Sequence, residues 1–234
     1  MSGPAGLRIE PIGERALLIT LGDRVDRVMN AQARRLAAAL EALRQVDPRF
    51  GRSIQAATSV LVPFNPLGID AAMATTIVAG LAESVARGSR GEGVANGGDD
   101  EALDRPPIEI GVRYGGRDGP DLAAVADSHG VTPEKIVELH TETAWTALFL
   151  GYAPGFAYFG PLPPDLATPR RATPRQSVPA GSVAIGGDQT AVYPFSMPGG
   201  WHVIGRTNVR LWDLGRARPN LVQPGDRIRF VLAR

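Results

Sequence analysis

Between residues 166 and 212 the chain carries five arginines, Arg170, Arg171, Arg175, Arg206 and Arg210, against one acid, Asp188. A guanidinium is permanently charged, and its planar fork of donors matches a carboxylate or a phosphate. Thr168, Thr173, Thr190 and Thr207 add hydroxyls, and the glycines of the same stretch leave backbone N–H groups accessible. Pro169 and Pro174 each precede one of the arginines of the run TPRRATPR and restrict its backbone. The chemistry these residue types offer is the binding of a small anion; the alternative is a solvated basic face. Tyr158, Tyr193 and Trp201 either wall such a pocket or, at strand spacing, fill a core.

Other chemistries find less support. The 234 residues include no cysteine, which excludes disulfides, thiol catalysis and thiolate metal sites. His129, His140 and His202 lie far apart, with no i, i+4 pair, so no metal site is expected, and His140 reads as a partly buried helix residue. There is no GxxxxGK[ST] phosphate loop, and Gly181-Ser182 lacks the frame of a nucleophile elbow. LAAVADSHGVTPEKIVELH has the shape of a helix-turn-helix, but residues 118–142 carry six acids against Lys135 alone, the wrong sign for DNA. The net charge of +1 likewise argues against a nucleic-acid or membrane-surface binder. No apolar run is long enough to span a membrane, and the N-terminus lacks a signal peptide, so a cytoplasmic location is expected. No catalytic residue can be read from these patterns.

The elements that must position the arginines divide in two. Residues 1–87 read as an α+β domain. Short apolar runs at 7–12 and 16–21, broken at Gly13, suggest a hairpin, and helical spacing from Val25 to Leu43 gives an amphipathic helix that Asp47-Pro48 stops. Residues 53–63 read as one strand, and Asp70 starts a second helix running to about Ala86. Residues 88–105 are Gly-rich and acidic and read as a flexible linker. Residues 106–234 begin with a strand over 108–114 and helical stretches over 122–129 and 133–143, the latter opened by Thr132-Pro133-Glu134. Past Trp145 the helical period stops, and short apolar runs between turns read as a barrel or sandwich. Residues 151–201 hold 17 Gly and Pro in 51 positions, a density that forces tight, rigid loops.

The blocks FLGYAPGFAYFGPLPPDLATPRRATPR, VPAGSVAIGGDQT and VYPFSMPGGWHVIGRT, in that order and with the closing PGDRIRF, resemble the signature of the KipI / allophanate hydrolase subunit 1 family, whose bacterial members include the B subunits of 5-oxoprolinases. The resemblance covers residues 108–231. It implies an α+β N-terminal domain followed by a mainly β, cyclophilin-like barrel domain. It further implies a subunit that is inactive alone. With a 5-oxoprolinase C subunit (an allophanate hydrolase subunit 2-like protein) and an A subunit, such a chain opens 5-oxo-L-proline to L-glutamate at the expense of ATP, with magnesium, by lactam phosphorylation. No biotin is expected on this chain. Positions implied to meet substrate or anion are Arg170, Arg171, Arg175, Gln189, Thr190, Gly199, Gly200, Trp201, Arg206 and Thr207. Two other roles stay open: a subunit of a urea- or allophanate-related carboxyl-transfer or hydrolase complex, and a KipI-like inhibitor of a histidine kinase. Two positions depart from the family pattern. Asp188 stands where a small residue is usual, and Met197 where Ser or Thr is usual. A carboxylate at Asp188 would repel an anionic ligand or hold an arginine or a metal.

Overall fold

The computed structural model describes residues 7–88 and 105–233. The expected linker therefore lies almost wholly outside the described residues. The chain separates into two units, one up to residue 100 and one from residue 101, each with its own core.

In the first unit β1 (Arg8–Ile12) and β2 (Ala16–Thr20) form the expected hairpin. Helix α1 (Arg27–Val46) follows, with the Asp26 carboxylate accepting the Met29 N–H at its start and Asp47 ending it. The run at 53–63 is not one strand. It folds back at Ala56–Ala57 into β3 (Ile54–Gln55) and β4 (Ser59–Pro63), with Ile54 opposite Leu61 and Gln55 opposite Val60. The apolar run thus pairs with itself, which its composition alone does not distinguish from one long strand. Helix α2 (Ala71–Gly88) is capped by Asp70 through the Met73 N–H. The sheet order is β1-β2-β4-β3. Leu17, Ile19, Val60 and Val62 point from it into a core shared with Leu36 and Leu40 of α1 and Ala74 and Val78 of α2.

The second unit is a closed barrel rather than a sandwich. Its strands are β5 (Ile108–Tyr114), β6 (Ala144–Leu150), β7 (Ala157–Gly160), β9 (Ser182–Gly186), β10 (Gln189–Val192), β12 (His202–Arg206) and β13 (Arg227–Leu232). The order around the barrel is β10-β7-β6-β13-β5-β12-β9, and β9 pairs with β10 to close it. All pairs are antiparallel except β13 with β5, which sets Ile228 beside Ile108. A separate two-stranded ribbon joins β8 (Arg175–Val178) to β11 (Met197–Gly199). Helices α3 (Leu122–His129) and α4 (Pro133–Glu142) follow β5, and their residues Leu122, Val125, Ala126 and Ile136 join the barrel core of Ile110, Val112, Phe159, Val183, Ile185 and Phe230. Thr132 caps α4 through the Lys135 N–H, as its sequence signal predicts.

His140, on α4, is wholly buried rather than partly so, and its ring stacks on Phe230 at 4.4 Å. Thr190 Oγ1 donates to the Ala184 carbonyl at 3.1 Å, so the His140 Nε2–H donates to Thr190 at 2.9 Å. Nδ1 is then the acceptor for the Tyr114 hydroxyl at 2.7 Å. Burial pushes the imidazole pKa down to about 3, so the ring is neutral. Burial also raises the Tyr114 phenol well above its ordinary value.

Candidate functional site: an arginine and aromatic face beside the ribbon

The segment from Thr168 to Arg171 is pinned on both sides. Thr168 and Gly187 exchange backbone hydrogen bonds of 3.0 and 2.7 Å, His202 Nε2 donates to the Pro169 carbonyl at 2.9 Å, and the Arg171 N–H donates to the Gly200 carbonyl at 2.8 Å. Between these ties stands Arg170, exposed, with its guanidinium carbon 5.8 Å from the centre of the Trp201 ring. Among the described residues it has no carboxylate partner. An arginine over an indole face gains from the ring quadrupole and keeps its donors free.

Trp201 is part of a built wall. Tyr158 meets it edge-on at 5.7 Å, Phe156 at 6.1 Å, and Phe149 stacks on Tyr158 at 4.2 Å. Gly186 lies under the indole. A Cβ at that position would fall 2.5 Å from Trp201 Cγ, so only glycine lets the ring seat there. Tyr193 and Trp201 are core residues, 2% and 5% exposed, whereas Tyr158 is half-buried and borders the surface. Tyr152, in the left-handed region at φ 66°, closes the edge by donating its hydroxyl to the Pro198 carbonyl at 2.8 Å. Burial raises the Tyr193 phenol to about 12 and the Tyr158 phenol as well, so both are protonated donors at neutral pH.

The other two arginines of TPRRATPR face an internal anion. Asp121, at the start of α3, does not cap that helix with its side chain. Its carboxylate instead takes two hydrogen bonds from Arg175 at 2.7 and 2.8 Å, one from Arg171 at 3.0 Å and one from the Val203 N–H at 2.7 Å. Burial pushes the Asp121 carboxyl up, but Arg175, the Val203 N–H and Arg171 together outweigh it and hold the group below its usual value. Arg175 thus ties the start of β8 (Arg175–Val178) to the carboxylate at the start of α3. The Arg171 Nε and the His202 Nδ1 are buried without a hydrogen-bond partner.

The expected site residues do not form one cluster. Arg170, Arg171, Arg175, Gly199, Gly200 and Trp201 gather at the ribbon, where Gly199 pairs with Arg175. Gln189 begins β10, and Thr190 is fully buried with its hydroxyl committed to Ala184 and His140. Arg206 and Thr207 lie at the far end of β12, about 16 Å of extended chain from Trp201. Among the described residues Asp188 holds no arginine through its side chain; its carbonyl accepts the Leu162 N–H. No group of three His, Asp or Glu side chains comes together to hold a metal among the described residues. No helix among them is long and apolar enough to cross a membrane.

A closed barrel carrying an arginine-and-aromatic face beside a glycine-rich ribbon defines the class, and the comparisons give the family. The family model described as carboxyltransferase domain, subdomain C and D, matches residues 7–222, and the chain belongs to that family, which includes the KipI-type proteins. It is 56% identical over 124 residues to the 5-oxoprolinase B subunit of Escherichia coli O157:H7, a match covering 53% of this chain and 57% of that protein. It is 37% identical over 224 residues to the 5-oxoprolinase B subunit of Bacillus subtilis (strain 168), covering 96% of this chain and 92% of that one. The crystal structure of TTHA0988 superposes with a TM-score of 0.75 at 31% identity, covering 94% of this chain and 40% of that chain.

Proposed function

We propose that this chain is the B subunit of an ATP-dependent 5-oxoprolinase, acting with C and A subunits to open 5-oxo-L-proline to L-glutamate. The observation that carries this reading is the match to the Bacillus subtilis B subunit, which runs through both units of the chain. The face around Arg170 supplies chemistry that suits it. The substrate is a small anion with a compact apolar ring. Its carboxylate would meet the free Arg170 guanidinium, and its ring would lie against Tyr158 and Trp201.

The lactam is a poor electrophile; a phosphoryl group on its oxygen activates the ring carbon for addition of water. The adduct expels the ring nitrogen as the amine with cleavage of the C–N bond, and the acyl phosphate so formed is hydrolysed by a second water to the carboxylate and phosphate. In this reading the chain's part is to bind the carboxylate and to orient the ring. A neutral Tyr158 hydroxyl at the edge of the wall is a donor for the oxygen on which charge develops. The chain's free arginines suit phosphate oxygens, and the proposal gives it no magnesium ligand.

A second reading, carboxyl transfer, is favoured by the description of the family model. Co-expression with the candidate A and C subunits separates the two. Glutamate release from 5-oxoproline, dependent on ATP and on all three chains, is the expected result. Carboxylation of an amide substrate by a biotin-bearing partner, with no glutamate release, would replace the first reading by the second.

A further inference from the structure

Arg206 and Arg210 stand apart from the face just described. They line an open groove of about 490 Å³ together with Thr207, Asn208, Phe195 and Trp212. No Asp or Glu lines it, and among the described residues neither guanidinium has a carboxylate partner. Two permanent cations lining one groove repel each other, and an anion between them removes that cost. Apolar side chains also line it, and Phe195 is 41% exposed.

The groove is also held in shape. Gly181, at φ +79°, lies so close to the next strand that a Cβ would fall 2.3 Å from the Thr207 carbonyl oxygen. That approach lets the Thr207 N–H donate to Gly181 at 2.8 Å while the Gly181 N–H donates to Tyr193 at 2.7 Å. Thr207 Oγ1 accepts the Val209 N–H at 3.1 Å, which fixes the turn leading to Arg210. The Leu221 N–H donates to Leu211, and a bridge joins Trp212 to Asn220, so the aromatic side is anchored too. A site whose backbone is already ordered loses little on binding.

We propose that this groove is a second anion site, which takes a small ligand bearing a phosphate or carboxylate on a flat or apolar body. The oxyanion sits between Arg206 and Arg210, and the body lies on Phe195 and Trp212. The site stands on this chain's own geometry and does not depend on the ring-opening reading above, because its test is direct binding.

The test is calorimetric titration of the full chain with inorganic phosphate, ADP and 5-oxoproline as separate probes. Saturable binding of at least one probe is expected. Binding of phosphate and ADP that R210A weakens assigns a phosphate ligand, and binding of 5-oxoproline alone that R210A weakens assigns a carboxylate. R210A, on an exposed side chain, should weaken binding roughly 10- to 150-fold with an unchanged melting temperature. R206K keeps the charge at the half-buried position and should weaken it less. Phe195→Ala should weaken ADP but not inorganic phosphate. Absence of saturable binding by all three probes, or binding unchanged by R210A and by R206K/R210A, overturns the proposal. So does the finding that R210A abolishes capture of a partner protein while no small probe binds, which would make the groove a protein-docking surface.

Discussion

Asp121 and Arg175 form a two-pronged ion pair, 2.7 and 2.8 Å, between the start of a helix and the first residue of the β8 strand. The carboxylate is nearly inaccessible, with its side chain 7% exposed, and it also binds Arg171. Removing one partner of such a pair leaves charge stranded. Asp121→Ala should cost about 3 kcal/mol and lower the melting temperature by on the order of 10 °C. Because the folded carboxyl is held below its unfolded value, its contribution is complete above roughly pH 4 and is lost as pH falls through the lowered value. Denaturant titrations of the parent chain and Asp121→Ala should therefore differ at pH 7 and converge in acid. A constant gap down to pH 2 would contradict the assignment.

Arg170 should behave in the opposite way. It is exposed and bound to no acid among the described residues, so Arg170→Ala should melt within about 2 °C of the parent. In the assembled complex it should lose roughly 10- to 150-fold in kcat/KM for 5-oxoproline. Full activity in the variant would remove Arg170 from the site.

His140 gives the fold a pH dependence of its own. Its folded pKa, about 3, lies below the unfolded value of about 6.5, so the unfolded chain binds the extra proton first. Stability contributed by the neutral ring is complete above pH 6.5 and falls as pH drops from there toward 3. Between pH 7 and pH 5 the loss should be about 2 kcal/mol, read from urea midpoints. His140→Gln, which keeps a neutral donor and acceptor, should be less stable at pH 7 but should lack this part of the slope. An equal slope in the variant would point to other groups.

Gly186→Ala should cost about 1–3 kcal/mol, since the new methyl group falls inside contact distance of the Trp201 ring and the indole must shift. Because that ring supports Arg170, complex activity should fall with it. Chemical denaturation and glutamate release together check the coupling, and a variant that is stable and active would refute it.

Much of the secondary structure was legible because its signals are local. Thr132-Pro133-Glu134 starts α4, Asp47-Pro48 ends α1, and the strand at 108–114 matches its run of alternating residues. The fold-back within residues 53–63 was not legible, since Ile54, Val60 and Val62 suit one strand as well as two. The arginine cluster was visible as composition, but its internal anion was not. Asp121 lies 50 residues before Arg171, in an acidic stretch whose only message in the sequence was its wrong sign for DNA, and only the fold brings the two together. For the same reason the sequence placed Arg170 and Arg206 in one basic segment, whereas Arg170 lies over Trp201, just before β12, and Arg206 ends that strand.

The parallel pair of β5 and β13 also bears on how the chain is made. Ile108 of the second unit's first barrel strand finds its partner only in Ile228, near the end of its last. During synthesis the barrel has no closing strand until almost the whole unit has left the ribosome, a wait on the order of ten seconds at ordinary elongation rates. The first unit carries a core of its own and has no such wait. Protease challenge of nascent chains arrested near residue 220 would show a protected first unit and an open second one. Until translation reaches β13, the edges of β5 and β6 that will flank it are exposed, and they are the surfaces a chaperone would have to shield.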